Sequence, residues 1–169
     1  HYGSQLDEHN TVRQSAGRFD VSHMTVVDVA GPEAVGYLKR LFAGDVSTMA
    51  PGVALYTVML TDEGGVIDDL IVYRLGNGFR VVVNAGTRQK DLAWMQKQVA
   101  DFEVAVDERA DLGIVAVQGP DAVAAAAKAG FDGTALKPFT ASQAGETVIA
   151  RTGYTGEDGV EIIAPAAAI

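Results

Sequence analysis

The chain contains no cysteine, which excludes disulfides, zinc–thiolate centres and thiol chemistry within its 169 residues. That absence fits a reducing compartment. Histidine is scarce, at positions 1, 9 and 23 only, and no pair has the spacing of a helical metal site. Basic residues are outnumbered, 13 against 22 acids, for a net charge of −9. Nucleic acid and anionic membranes reward a basic face, so neither is expected as a partner. No apolar run approaches the ~20 residues of a membrane span, and residues 1–18 are too polar for the core of a signal peptide. The chain opens His1-Tyr2-Gly3-Ser4 without a methionine and stops at Pro165-Ala166-Ala167-Ala168-Ile169, a stretch like the first turn of a helix. These ends are expected of a piece of something longer. A hydrophobic content of 48% is ordinary for a folded domain.

The most informative segment present is Gly64-Gly65-Val66-Ile67-Asp68-Asp69-Leu70-Ile71-Val72-Tyr73. It follows Tyr56-Thr57-Val58-Met59-Leu60 across a turn rich in glycine, and so reads as the return strand of a hairpin. Adjacent strand residues point to opposite faces, so Asp68 and Asp69 meet different surroundings. A carboxylate set into an apolar floor needs a pairing partner. Asp68 reads most simply as a solvated or turn-satisfying acid.

Elsewhere the pattern predicts a short surface helix within 5–18 and one strand from Phe19 to Ala30. His23 on that strand reads as a hydrogen-bonded structural residue. Gly31-Pro32-Glu33 opens a helix that Gly44 stops. Strands at about 54–60, 66–75 and 79–85 form a meander, and 88–100 returns to helix, with Leu92, Met95 and Val99 on one face. Strand character resumes over 104–118, and a second helix opens at Gly119-Pro120-Asp121 and runs to about Ala129. The strand–Gly–Pro–acid–Ala–Val–helix unit therefore occurs twice, once at Gly31 and once at Gly119. Each copy is trailed by a Gly-turned hairpin bearing an acid. The expectation is an internal duplication, giving an α+β fold with antiparallel sheets and two related subdomains at roughly 19–103 and 104–169. It makes Asp69 and Glu161 rough counterparts, which two such strands could bring to one cavity.

Three chemistries suit acids placed this way. A divalent cation site from Asp62, Glu63, Asp68 and Asp69 lacks the spacing of an EF-hand loop. A glycosidase-like acid pair has no other support in the chain. A ligand rich in N–H donors, such as a pterin, purine or guanidinium, fits the two-oxygen fork of a carboxylate.

The blocks Phe19-Asp20-Val21-Ser22-His23-Met24, Ala54-Leu55-Tyr56, Gly64 to Leu70, Val82-Val83-Asn84-Ala85, Val117-Gln118-Gly119-Pro120 and Arg151 to Glu161 resemble the glycine cleavage system T-protein family of aminomethyltransferases, in order and over nearly the whole chain. The resemblance implies a partial folate-binding domain spanning 1–169, without the C-terminal β-barrel of that family. It implies a transferase that moves the methylene of an aminomethyl group, carried on the lipoyl arm of a partner H-protein, to tetrahydrofolate, releasing ammonia in glycine catabolism. No metal is implied, and the compartment is the bacterial cytoplasm or the matrix of a mitochondrion. Asp69 maps onto the family's key acid. Glu161 maps onto the residue that holds the aminopyrimidine edge of the pterin. Tyr56, Asn84, Tyr154 and Met24 map onto the pterin lining. The alternatives are a folate-binding module without transfer activity, whose relatives carry a Lys-Gly-Cys-Tyr-like signature missing here, or a related folate-dependent demethylating enzyme. With the other wall of the folate site beyond Ile169, activity of the fragment alone is doubtful.

Overall fold

The computed structural model describes residues 3–169; the opening His1-Tyr2 lies outside the described residues. In chain order the elements are α1 (Gln5–Gln14), β1 (Gly17–Asp20), β2 (Thr25–Ala30), α2 (Ala34–Leu41), β3 (Ala54–Leu60), β4 (Val66–Leu75) and β5 (Gly78–Val83). There follow α3 (Arg88–Gln98), β6 (Ala105–Glu108), β7 (Leu112–Gln118), α4 (Ala122–Lys128), β8 (Ala141–Ala144), β9 (Thr147–Ala150) and β10 (Gly159–Pro165). All strand pairings are antiparallel, so the fold is α+β as the hairpin signals predict.

The chain divides into two units. One comprises His23–Ala110, and the other combines His1–Ser22 with Asp111–Ile169. In the first unit the sheet order is β3-β4-β5-β2-β6. β5 runs between β4 and β2 with every residue buried, so Phe79, Val81, Val82 and Val83 do not alternate with exposed positions, and Arg80 is a buried charge among them. The helix α2 lays Ala34, Tyr37, Leu38 and Leu41 into the core, beside Val27, Val81 and Met95. The helix begins at Ala34 after the cap residue Glu33, so Pro32 lies ahead of its first turn and not at its first helical position, and it ends where Phe42 turns extended, two residues before Gly44.

In the second unit the order is β8-β9-β10-β7-β1. Its core is smaller: Ala126 of α4 packs with Val160, Ile162 and Ala164 of β10. Substituting each strand for its partner in sequence gives the same order in both units, with β7 matching β2, β10 matching β5, β9 matching β4 and β8 matching β3. The matched glycines agree in detail. Gly31 has φ +132° and Gly119 φ +131°. A Cβ at either would lie against a carbonyl, Glu103 O at 2.5 Å or Ser15 O at 2.3 Å. Only glycine suits such a position.

The topology corrects two expectations. The residues from Phe19 to Ala30 are not one strand: β1 and β2 belong to different sheets, and Val21 to Met24 form the turn between them, with His23 exposed. Burial does not alternate through the segment: β1 is mostly exposed and β2 mostly buried. Asp69 and Glu161 are also not counterparts. Asp69 is on β4, whereas Glu161 is on β10, the match of β5. Glu161 faces Ala116 across β7 just as Arg80 faces Asp28 across β2, so Arg80 occupies the place of Glu161.

Candidate functional site

The hairpin of β3 and β4 turns at Thr61–Gly65, where Thr61 N–H donates to Gly65 O at 2.8 Å and Gly64 takes φ +83°. Val58 then stands opposite Asp69 and Met59 opposite Asp68. Tyr56 is two residues from Val58, which makes it a diagonal neighbour of Asp69 on the same face of the sheet. Its hydroxyl donates to Asp69 Oδ2 at 2.6 Å. That bond to Asp69, aided by partial desolvation and by the charges of Asp69 and Asp68, raises the phenol pKa of Tyr56 above its ordinary value.

Asn84 closes the arrangement from the end of β5. Its Nδ2 shares its two N–H bonds among Asp69 Oδ1 at 3.2 Å, Asp69 O at 2.9 Å, and Asp68 Oδ1 and Oδ2 at 3.1 and 3.2 Å. Both carboxylate oxygens of Asp69 therefore have a fixed donor while its side chain stays half-open to solvent. Asp69, Tyr56 and Asn84, expected on sequence grounds, come together in one cluster. Met24 does not join its hydrogen bonds; it sits half-buried in the turn before β2.

Asp68 departs from its simple reading as a solvated acid, since it is only 8% exposed. It accepts from Asn84 N–H at 3.2 Å and Thr87 Oγ1 at 2.8 Å as well as from Asn84 Nδ2. Burial pushes its carboxyl up, but the donors of Asn84 and Thr87 outweigh burial and hold it below the usual range. Lys90 Nζ caps the strand from outside, donating to Ile67 O at 2.6 Å.

In the other unit Glu161 is 6% exposed on β10 and accepts from the Thr152 hydroxyl. Buried Gln118 braces that segment, its Nε2 donating to Thr152 O at 3.1 Å and its Oε1 accepting from Thr155 Oγ1 at 3.1 Å. Gln118 packs so closely on Gly153 that any Cβ there would lie 1.9 Å from Oε1. Tyr154 is two-thirds exposed in the loop ahead of β10. The acids of that loop are tied to arginines, Glu157 to Arg13 at 2.7 Å and Asp158 to Arg151.

The divalent reading of Asp62, Glu63, Asp68 and Asp69 finds no support: Asp62 pairs with Arg40, and no metal-holding group occurs among the described residues. Sequence reasoning overlooked Thr87, Asp91, Gln118 and Thr152. Asp91 carried a usable signal, an acid four residues before Met95 and seven before Gln98, in phase with the buried face of α3.

A family model described as the GCVT N-terminal domain matches residues 2–169. A curated aminomethyltransferase of Alcanivorax borkumensis is 55% identical over 97% of this chain and 47% of its own length. One of Methylococcus capsulatus is 53% identical over 98% of the chain and 47% of its length. The chain thus spans about half the length of the curated relatives it matches. A crystal structure of glycine cleavage system aminomethyltransferase T from Bartonella henselae superposes with a TM-score of 0.90 at 39% identity, covering 95% of this chain and 45% of that one. A heterotetrameric sarcosine oxidase from Corynebacterium sp. U-96 superposes with a TM-score of 0.54 at 16% identity, over 96% of this chain and 83% of that one, a likeness of fold alone.

Proposed function

The chain belongs to the GCVT N-terminal domain family, and from that premise we propose that the protein carrying it is the tetrahydrofolate-dependent aminomethyltransferase of the glycine cleavage system. The substrate is an aminomethyl group held by sulfur on the lipoyl arm of H-protein, and the acceptor is tetrahydrofolate. Two bonds to the methylene carbon break, one to nitrogen and one to sulfur. Two form, to two nitrogens of the folate, whose protons leave with ammonia and the freed thiol. The products are 5,10-methylenetetrahydrofolate, ammonia and dihydrolipoyl H-protein.

In this reading Asp69 is the catalytic residue, set beside the reacting folate nitrogens. Tyr56 and Asn84 donate to its two oxygens, which fixes the direction of its remaining lone pairs before the substrate arrives. Glu161 presents its carboxylate to the paired N–H groups of the aminopyrimidine, a fork that two parallel hydrogen bonds match. Tyr56, Asn84, Tyr154 and Met24 line the pterin. The two halves, expected at roughly 19–103 and 104–169 and divided in the structure as His23–Ala110 and His1–Ser22 with Asp111–Ile169, are read as copies of one strand–helix–strands unit that kept the fold and diverged at the Arg80 and Glu161 positions. No helix is long and apolar enough to cross a membrane among the described residues. The compartment proposed from the family reading is the bacterial cytoplasm or a mitochondrial matrix.

The observation that carries this reading is the identity of 55% to a curated aminomethyltransferase along 97% of the chain. It is tested on the full-length protein by measuring tetrahydrofolate binding and ammonia release with lipoylated H-protein, for wild type, Asp69→Ala and Glu161→Ala. Loss of transfer with Asp69→Ala and weakened folate binding with Glu161→Ala are expected. Normal transfer by both variants overturns the assignment of the site.

A further inference from the structure

Asp91 is fully buried on the inner face of α3, and neither of its carboxylate oxygens has a hydrogen-bond partner. Its backbone N–H makes the ordinary helical bond to Thr87 O at 2.9 Å, so the anomaly lies in the side chain alone. Few groups face it. From β4 comes Asp68, whose carboxylate is within hydrogen-bonding reach. From the connection ahead of α3 comes the Thr87 hydroxyl, which donates to Asp68 Oδ2 at 2.8 Å or Asn84 O at 3.1 Å. From α3 itself comes Lys90, engaged with Ile67 O. The helix α2 also packs on α3, but its Tyr37 hydroxyl donates to Met95 O at 2.8 Å.

Two carboxylates in contact and out of water do not both ionise readily. One proton between them turns a repulsion into a charge-assisted O–H···O⁻ bond. Asp68 already accepts from Asn84 and Thr87, which makes it the better anion. Asp91 accepts from nothing, which makes it the acid. Burial is the largest cause of the shift that takes the Asp91 carboxyl up to about 6, and Asp68 adds to it against the pull of Thr87 and Lys90.

We propose that Asp68 and Asp91 form a buried acid pair sharing one proton, Asp91 being the donor, and that this pair is the positioning element that holds Asn84, and through it Asp69, in place. The shared proton follows from the packing of β4 and α3 alone; the positioning role rests on the catalytic reading of Asp69. Asn84 Nδ2 bridges the two carboxylates of β4, so a shift of Asp68 is passed to Asp69 through one amide.

The test uses the full-length protein as wild type, Asp91→Asn, Asp91→Ala and Asp91→Leu. Side-chain carboxyl carbons are followed by NMR against pH, together with urea stability and the kcat and KM for tetrahydrofolate. A wild-type carboxyl signal titrating near pH 6 and missing from Asp91→Asn is expected; the proton is shared below that pH, so kcat is compared on the acid side of it. Asp91→Asn, whose amide still donates to Asp68, should keep kcat, whereas Asp91→Ala and Asp91→Leu should lose about 10- to 100-fold in kcat. Rescue by Asn and not by Leu separates donation from packing. An Asp91 carboxyl that titrates in the ordinary aspartate range overturns the pair. Full kcat in Asp91→Ala overturns its positioning role. Should the wild type bind no folate, the proposed function fails, and the carboxyl titration still decides the pair.

Discussion

Asn84 lends one side-chain nitrogen to Asp68 and Asp69 together, at 3.1 and 3.2 Å. Consecutive strand residues face opposite ways, so two acids in a row ordinarily share nothing but a peptide bond. Here the amide of a residue at the end of the neighbouring strand spans that divide, and a buried acid and an open one become parts of one structure.

Replacing Asn84 with alanine removes the side-chain amide that bonds both oxygens of Asp68 and leaves only the backbone N–H of residue 84 and the Thr87 hydroxyl to serve it. Leaving a buried carboxylate short of donors costs about 1–3 kcal/mol. The folded-state pKa of Asp68 is depressed, so its contribution to stability is present above the unfolded pKa and is lost as pH falls through the folded one. Asn84→Ala is therefore expected to be less stable than wild type to urea at pH 7, and the gap is expected to close on acidification. A gap that stays constant or widens in acid contradicts this account.

Tyr56 offers a spectroscopic handle on Asp69. Its phenol is held above the usual tyrosine value chiefly by the bond to Asp69. Ultraviolet titration of wild type minus Tyr56→Phe isolates that phenol from the other tyrosines. Repeating the subtraction in an Asp69→Asn background should bring the titration to lower pH, since both the acceptor and its charge are then weakened. An unmoved phenol would mean that the two side chains do not meet in solution.

Much of this was legible in the sequence, and what escaped did so for physical reasons. The Asp69 hairpin was readable because glycine-rich turns and period-2 apolar strands leave local marks. Asn84 and Tyr56 came from the resemblance of whole blocks to a family. The bond between them through Asp69 depends on β3, β4 and β5 lying side by side, which no local signal fixes. Asp68 was misread because burial is a tertiary property: the strand pattern says only that its face differs from that of Asp69. The division between β1 and β2 was invisible for a related reason, since which sheet a strand joins is a tertiary property and the four-residue turn between them carries no glycine or proline. The repeat was seen, but its register was not. Matching hairpins by their acids paired Asp69 with Glu161, whereas matching them by strand order pairs Glu161 with Arg80.

The duplicated glycines give a paired prediction. Gly31→Ala and Gly119→Ala each force a Cβ into a backbone carbonyl at a φ that L residues avoid. Each should cost about 1–3 kcal/mol, and to a similar extent, because the two sites are near copies. Gly76→Ala, with open space around its Cβ, serves as control and should stay within about 0.5 kcal/mol of wild type. Thermal unfolding of the three variants decides it. Tolerance of alanine at either Gly31 or Gly119 would argue against a shared constraint.

Arg80 supplies the last prediction, because the repeat puts it where the other unit has Glu161. Its guanidinium is almost wholly buried and grips Asp28 with two bonds, Nε to Oδ1 at 2.8 Å and Nη2 to Oδ2 at 2.9 Å. Arg109 adds a third bond to Asp28 at 2.9 Å. Removing one partner of a buried pair strands the other charge, whereas removing both lets apolar side chains fill the space. Asp28→Ala alone should therefore lose about 3 kcal/mol. The double variant Asp28→Leu with Arg80→Met should recover the part of that loss due to Arg80, while the bond from Arg109 to Asp28 stays lost. Urea denaturation of the single and double variants at pH 7 measures the difference. If the double variant is as unstable as the single one, the ion pair contributes more than charge compensation, and Arg80 has a task beyond closing the sheet.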